Sequence, residues 1–545
     1  MKSYFQKSNR QKWAWLLIIV MIIGLVIPTS LMSAKADVAR PVIQKSSGWL
    51  ESAYVEWKPV SGASGYSVYV KTAGAQDSEY TRIDQELIRE YRDASGKLYY
   101  RADAVGLSAG NYVLKVVPSV NKQEKNASKA VTDQLQVIAY DRTGFAWTDG
   151  VANGAYREDG QLKENAVILY ISEDTKNSVS LDVVTGSGKV TKATGIQNIL
   201  TAYKKGYDSR PLDIRMIGKV TDPSTLMGGD LLIDTKNTAN GITLEGIGED
   251  ATAYGWGVKV KNSSNIEIRN IGVMDTNSTE GDDVGVQAVD HVWVHNCDLF
   301  YGEPGKDADQ VKGDGAMDCK KSSYITFSYN HFWDCGKCNL LGLKEDTSKK
   351  EYITYHHNWY DHSDSRHPRV RTFSAHIYNN YYDGNAKYGA GACLGASLFM
   401  ENNYFRNCKY PMMISMQGTD VIADWSTMVR DEKNRPTFSK ENGGMIKSYG
   451  NYMEGQSSFV TYQQNQQEFD AYQVSSATDK VPSNVKSVKG GNTYDNFDTS
   501  SVMYQYTADS PQVAKVNVEK YAGRVNGGDF QWEFDDNIQM IPQMM

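Results

Sequence analysis

Five short segments between positions 291 and 403 can be laid under one another, and this repetition limits the available folds more than any other feature. They are His291-Val-Trp-Val-His-Asn-Cys297, Tyr324-Ile-Thr-Phe-Ser-Tyr-Asn330, Tyr352-Ile-Thr-Tyr-His-His-Asn358, Ser374-Ala-His-Ile-Tyr-Asn-Asn380 and Ser397-Leu-Phe-Met-Glu-Asn-Asn403. Each holds two apolar positions two apart: Val292/Val294, Ile325/Phe327, Ile353/Tyr355, Ala375/Ile377 and Leu398/Met400. Three residues past the second comes Cys297 or Asn330, Asn358, Asn380 or Asn403, at steps of 33, 28, 22 and 23. Residues two apart on a strand share a face, so each segment reads as one short strand with an apolar side. One strand per repeat, at a period of about 20 to 30, marks a solenoid of parallel strands. The asparagines are then expected to stack at one bend, each amide bonded to the next coil. Unrelated strands of a β-sandwich would have no reason to keep that offset. Ile266/Ile268 reads as an earlier copy.

With 545 residues, the chain is too long for one ordinary compact core, which agrees with an elongated repeat plus a further domain. Lys2, Lys7, Arg10 and Lys12 precede an apolar run from Trp13 to Ile27; Pro28 ends it and Ala34-Lys35-Ala36 follows. That layout is expected to be a secretory signal peptide over residues 1–36, since the run is shorter than the ~20 residues a spanning helix needs. Its removal takes five bases and no acids, moving the net charge from −7 to −12. So acidic a chain is a poor candidate for nucleic acid, and it suits an anionic polymer only through local bases or a bridging cation. The expected product is secreted, monomeric and free of the membrane.

Residues 40–140 read as a small β domain. Tyr54-Val55-Glu56-Trp57 and Tyr66-Ser67-Val68-Tyr69-Val70 alternate around a Ser61–Gly65 turn, and Ala109-Gly110-Asn111 leads into Tyr112–Val116. These strands resemble a fibronectin type III sandwich, usually a spacer or adhesion module. From residue 145 to 545 the solenoid is expected, with a helix over Gly195–Tyr203 and a strand over Leu212–Val220 near its start. All eight histidines lie between His291 and His376, and all six cysteines between Cys297 and Cys408. The cysteines are not spread as a disulfide framework. They are expected to be buried small apolar residues, with Cys335 and Cys338 the pair expected to bridge.

Asp314-Gly315-Ala316-Met317-Asp318 sets two carboxylates four apart, on one face of an extended strand. Neighbouring carboxylates repel unless a cation lies between them, and calcium takes several hard oxygen ligands at once. Asp282 and Asp283 could join from the preceding coil. Arg366-His367-Pro368-Arg369-Val370-Arg371 crowds three guanidiniums, whose forks bind carboxylates bidentately. Strict alternation pairs Arg369 with Arg371 and turns Arg366 away. Lys337 sits in a turn between Gly336 and Cys338.

Taken together, the Gly241–Ile271 run, Val292-Trp293-Val294, DGAMDCKKSSYITFSYNHF, GKCNLLG and RHPRVR followed by HIYNNYYDG resemble the pectate lyases of polysaccharide lyase family 1. The resemblance covers residues 145 to 530 and is clearest over 241–415. It implies an all-β chain whose main domain is a right-handed parallel β-helix. It also implies Ca2+ held by Asp282, Asp314 and Asp318, with Asp283 as an addition, and Lys337 on a substrate carboxylate. Arg366 would take the C5 proton of a galacturonate and Arg371 would hold the substrate. Trp293-Val294-His295-Asn296 departs from the family's usual Trp-Ile-Asp-His, and the Lys306–Gly313 insertion, with Asp307 and Asp309, could alter the calcium site.

The implied reaction is calcium-dependent β-elimination on polygalacturonate (pectate), leaving 4,5-unsaturated ends. A guanidine acts as a base only when neutral, so an alkaline optimum is expected. His357, His362 and His367 are the rival bases. A polygalacturonase-like hydrolase on a similar solenoid would need paired acids flanking the bond. A pectin lyase would act on esters, which carry no charge for a cation to bridge. A non-catalytic polysaccharide-binding protein is the third alternative.

Overall fold

The computed structural model describes residues 38–236, 241–301, 314–343 and 351–534. The expected signal segment and the Lys306–Gly313 insertion, with Asp307 and Asp309, lie outside the described residues. Among the described residues, no helix is long and apolar enough to cross a membrane.

The chain between 43 and 137 forms two antiparallel sheets. One orders Ile43–Gly48, Ser52–Trp57, Leu98–Val105 and Ile88–Arg92; the other is built around Gly65–Thr72 and Gly110–Val120. Alternation in these strands turns Val55, Trp57, Val68, Ala102, Leu114 and Val116 into a core shared by both sheets. Tyr66 and Tyr100 close on the Trp57 ring at 5.2 and 5.8 Å.

The rest is a parallel β-helix. An 8-stranded parallel sheet and an 18-stranded parallel sheet run the length of its coils. One coil shows the pattern: Val284–Gln287, then Asp290–His295, then Asp298–Phe300. Its successor is Met317–Lys320, Ser323–Ser328 and His331–Trp333, stacked in register with Val284 on Met317, Val292 on Ile325 and Asp298 on His331. The paired apolar positions of the repeat all point inward: Val292, Val294, Ile325, Phe327, Ile353, Tyr355, Ala375, Ile377, Leu398 and Met400 are buried. Full burial of such side chains stabilises by about 1.5–3 kcal/mol each.

The corner after the second strand of each coil is made by a residue in the left-handed region: Asn296, Tyr329, His357, Asn379 and Asn402 have φ between 49° and 54°. One residue later the asparagines stack. Asn330 Nδ2 donates to Asn358 Oδ1 at 3.1 Å, Asn358 to Asn380 at 2.9 Å, and Asn380 to Asn403 at 3.0 Å. Cys297 caps the row, its N–H donating to Asn330 Oδ1. Asn403 passes the row on to Asn451 at 2.9 Å, one coil further than the five segments reach.

The short helix is Ile196–Tyr203, capped by Gly195, and the following strand is Leu212–Val220. A second helix, Pro511–Tyr521, starts at a Ser510 cap with Pro511 in its first turn, a signal the sequence reading passed over; Val518 and the following Ala522 pack on Tyr381. The expected Cys335–Cys338 bridge is corrected: all six cysteines are free thiols buried in the protein. Cys335 Sγ instead faces the Leu299 and Trp333 carbonyls at 3.5 and 3.6 Å.

Candidate active site

The outer face of the 8-stranded sheet carries the charges. Register places Lys259, Gly285, Asp318, Leu340, Arg369 and Gly391 at one level, and Lys261, Gln287 and Lys320 two residues along. Asp318 is held by the Leu340 N–H, which donates to its Oδ1 at 2.9 Å. Asp282 precedes Val284–Gln287 and accepts from the Gly315 N–H at 3.1 Å. Gly315 is what lets the two carboxylates meet. A Cβ there would stand 2.4 Å from Asp318 Oδ1 and 2.9 Å from Asp282 Oδ1. Lys320 Nζ lies 3.7 Å from an oxygen of each. Burial first, and then the charge of Asp318, pushes the Asp282 carboxyl up to about 7. Burial raises Asp318 as well, against the opposing charges of Lys320 and Arg366.

Asp314 stands beside this pair with 57% of its side chain exposed, and Lys337 Nζ donates to its Oδ1 at 2.8 Å. Lys337 itself is buried, its carbonyl accepting from the Ala316 N–H one coil back. Two carboxylates crowded together and a third next door offer only oxygen donors. That set fits a hard divalent cation, which would relieve the repulsion.

Asp283 does not join them. Its side chain is fully buried and takes the Thr276 hydroxyl at 2.7 Å, and burial holds its carboxyl well above the ordinary range. The chain enters the strand from a left-handed turn at Gly281, φ 76°. Asp282, Asp314 and Asp318 are brought together, and Asp283 is a corner residue.

Arg366 lies on the same side of the protein, just ahead of the strand Arg369–Arg371. Its φ of 65° takes it out of strand alternation, and its carbonyl accepts from the Asn339 N–H at 2.8 Å. Among the described residues its guanidinium makes no hydrogen bond or ion pair. Arg369 and Arg371 are both tied to Glu441, at 3.2 and 3.0 Å. Glu441 comes from the 415–444 insertion and carries no periodic signal that could have pointed to it. Lys320, by contrast, was legible, standing two residues after Asp318 on a strand. A cleft of about 470 Å³ opens beside Arg366, walled by Arg369, Lys387, Tyr388, Tyr410 and Arg435.

The three rival histidines are engaged elsewhere. His367 Nδ1 meets the Tyr388 carbonyl at 2.7 Å, His362 Nδ1 meets Asp361 at 2.6 Å, and His357 Nε2 meets Asp509 at 3.3 Å. All three are buried.

Residues 131–526 match the family model described as Pectate lyase. A pectate trisaccharide-lyase of Bacillus licheniformis is 33% identical over 230 residues, 42% of this chain and 65% of its own length, so the chain spans slightly under two thirds of that relative. Pectate lyase B of Dickeya chrysanthemi is 27% identical over 292 residues, covering 52% of this chain and 73% of its own. Among solved structures, a pectate lyase from Bacillus sp. N165 in complex with trigalacturonate aligns over 70% of this chain and 99% of its own, with 22% identity and a TM-score of 0.49.

Proposed function

Because this chain belongs to the pectate lyase family, we propose that it cleaves de-esterified polygalacturonate by calcium-dependent β-elimination on the outer face of the 8-stranded sheet. One observation carries the reading: Arg366, whose guanidinium makes no hydrogen bond or ion pair among the described residues, takes the Asn339 N–H on its carbonyl while the next N–H, of Leu340, holds Asp318, beside carboxylates that crowd one another. Asp282, Asp314 and Asp318 would hold the calcium ion. When bound, that ion supplies positive charge that bridges the acidic protein to a uronate carboxylate and makes the C5 proton more acidic.

Lys337, positioned by Asp314, takes the substrate carboxylate, and Arg371, oriented by Glu441, holds the neighbouring sugar. Their charges stabilise the negative charge that builds on that carboxylate as the proton leaves. Arg366 in its neutral form accepts the C5 proton. The C5–H pair becomes the C4–C5 double bond, the C4–O4 bond breaks, and O4 leaves with its electrons to be protonated by solvent. The basic cleft beyond Arg366 supports an anionic polymer as substrate, and a methyl ester would offer nothing for these cations to pair with. The two-sheet module at 43–137 fits the fibronectin type III-like reading, and the sequence of residues 1–36 supports export to where the polymer lies.

The test is ultraviolet absorbance from unsaturated ends on polygalacturonate, with and without calcium. Absorbance should grow only with calcium, and Arg366→Ala should lower kcat by about 10²–10⁴. New reducing ends without absorbance would instead mark a hydrolase, and binding without cleavage a polysaccharide-binding protein.

A further inference from the structure

On the far side of the coils from the acidic cluster, two consecutive histidines face each other. His356 ends the strand Tyr352–His356, and His357 makes the corner that follows, with φ 52°. Their Nδ1 atoms are 3.0 Å apart. Each ring's other nitrogen meets a group that only accepts. His356 Nε2 lies 3.1 Å from the Thr143 carbonyl, and His357 Nε2 lies 3.3 Å from the Asp509 carboxylate. With both Nε2 atoms as donors, the Nδ1 atoms of neutral rings would aim lone pairs at one another. Asp141 adds a carboxylate: its Oδ2 is 3.9 Å from His356 Nδ1, while its Oδ1 takes the Thr143 hydroxyl at 2.5 Å. The three donor atoms lie within 4.8 Å of one another.

Two such lone pairs and a carboxylate converging on one point make a site for a cation. The spacing selects its kind. Nitrogens bound cis to one ion at about 2.0–2.1 Å stand about 2.9–3.4 Å apart. Two imidazoles and one carboxylate suit zinc, cobalt or nickel, and disfavour calcium, which takes oxygen ligands. The outward nitrogens already hold the arrangement that fixes metal-binding histidines, each donating to a carbonyl or carboxylate. Asp141 is partly exposed and opens a path for entry.

We propose that Asp141, His356 and His357 form a second metal site, for a borderline divalent ion such as Zn2+, separate from the all-oxygen cluster of Asp282, Asp314 and Asp318. It ties three segments together. Asp141 lies on the linker leaving the two-sheet module, the histidines lie on a coil, and Asp509 leads into the helix Pro511–Tyr521. The site acts as a clamp rather than in catalysis, and it does not rest on the lyase reading.

The test uses the full chain, stripped by chelator and then kept in excess calcium so that the oxygen cluster is filled. Titration with Co2+ should show one equivalent bound, with visible absorption bands that Zn2+ abolishes. Zn2+ should raise the Tm. Asp141→Asn, a change on a partly exposed linker residue, should weaken Co2+ at least tenfold and remove the Zn2+ effect on Tm. His357→Gln should do the same, provided its far-ultraviolet circular dichroism matches the parent. Absence of the bands in the parent overturns the proposal and leaves a shared proton between the rings. Undiminished Co2+ affinity in folded Asp141→Asn and His357→Gln overturns it too.

Discussion

Gly315 does more for the site than any charged residue alone, because the space it leaves empty is where the two carboxylates meet. Gly315→Ala puts a Cβ 2.4 Å from Asp318 Oδ1, and the cheap escape is for that carboxylate to swing away. Little stability is lost, whereas the ligand geometry is. Calcium titration by calorimetry should show affinity at least tenfold weaker in Gly315→Ala at nearly unchanged Tm; equal affinity would show that Asp282 and Asp318 do not share an ion. Asp314 and Asp318 were visible in the sequence four apart, while only the family resemblance ranked Asp282 ahead of Asp283. Strict alternation back from the buried Val284 favours Asp283, whereas the structure buries Asp283 against Thr276 and sets Asp282 beside Gly315. Arg366 was out of reach of alternation because its own φ of 65° is left-handed, just before a strand.

The coil carries its own logic at the scale of strand and corner. Asn380 is fully buried. Its Nδ2 donates to the Tyr355 and Tyr378 carbonyls and to Asn403, and its Oδ1 receives both the Asn358 N–H and its amide. Asn380→Ala strands several buried groups at once, so unfolding free energy in urea should fall by about 3 kcal/mol. A loss under 1 kcal/mol would mean the row is decorative. The ladder was readable because strand and asparagine keep one offset in every coil. Asn451 escaped notice because the 415–444 insertion stretches its step to 48, and Glu441 within that insertion obeys no repeat. Glu267, on the strand Ser264–Arg269, sets a pH window. Burial alone would raise it, but the Arg269 charge and the His295 hydrogen bond hold it down at about 2, against an ordinary 4.5. A depressed carboxylate contributes stability above its unfolded value and loses it as pH falls through the folded one. Acid unfolding between pH 4.5 and about 2 should thus be partly Glu267, worth on the order of 3 kcal/mol. Glu267→Gln should flatten that stretch of the stability curve, and an unchanged slope would assign the acid sensitivity elsewhere.

Across the whole molecule, the two-sheet module is docked on the β-helix by buried charge. Arg89 reaches Asp250 at 2.9 Å and the Ile247 carbonyl at 3.0 Å while also touching Asp103, and Arg101 reaches Glu249 at 2.8 Å. Arg89→Ala leaves Asp103 to Arg101 and the quarter-exposed Asp250 to Tyr91, at a cost of about 1–3 kcal/mol. Calorimetry should then resolve a module transition below that of the β-helix, and a single unshifted transition would mean that the contact carries no coupling. The broad plan, antiparallel sheets followed by a parallel solenoid, was legible because each half repeats a simple alternation. The docking was not, since Arg89 and Asp250 lie far apart in sequence and each looks like an ordinary surface charge. The proposed reaction is elimination across a uronate between Arg366 and the acidic cluster. The most direct measurement is mass spectrometry of products from a defined oligogalacturonate cleaved in heavy-oxygen water with calcium present. Elimination predicts fragments whose masses sum to the substrate, one of them unsaturated, with no heavy oxygen incorporated at the cut; one labelled oxygen per cleavage, with no unsaturated end, would contradict it.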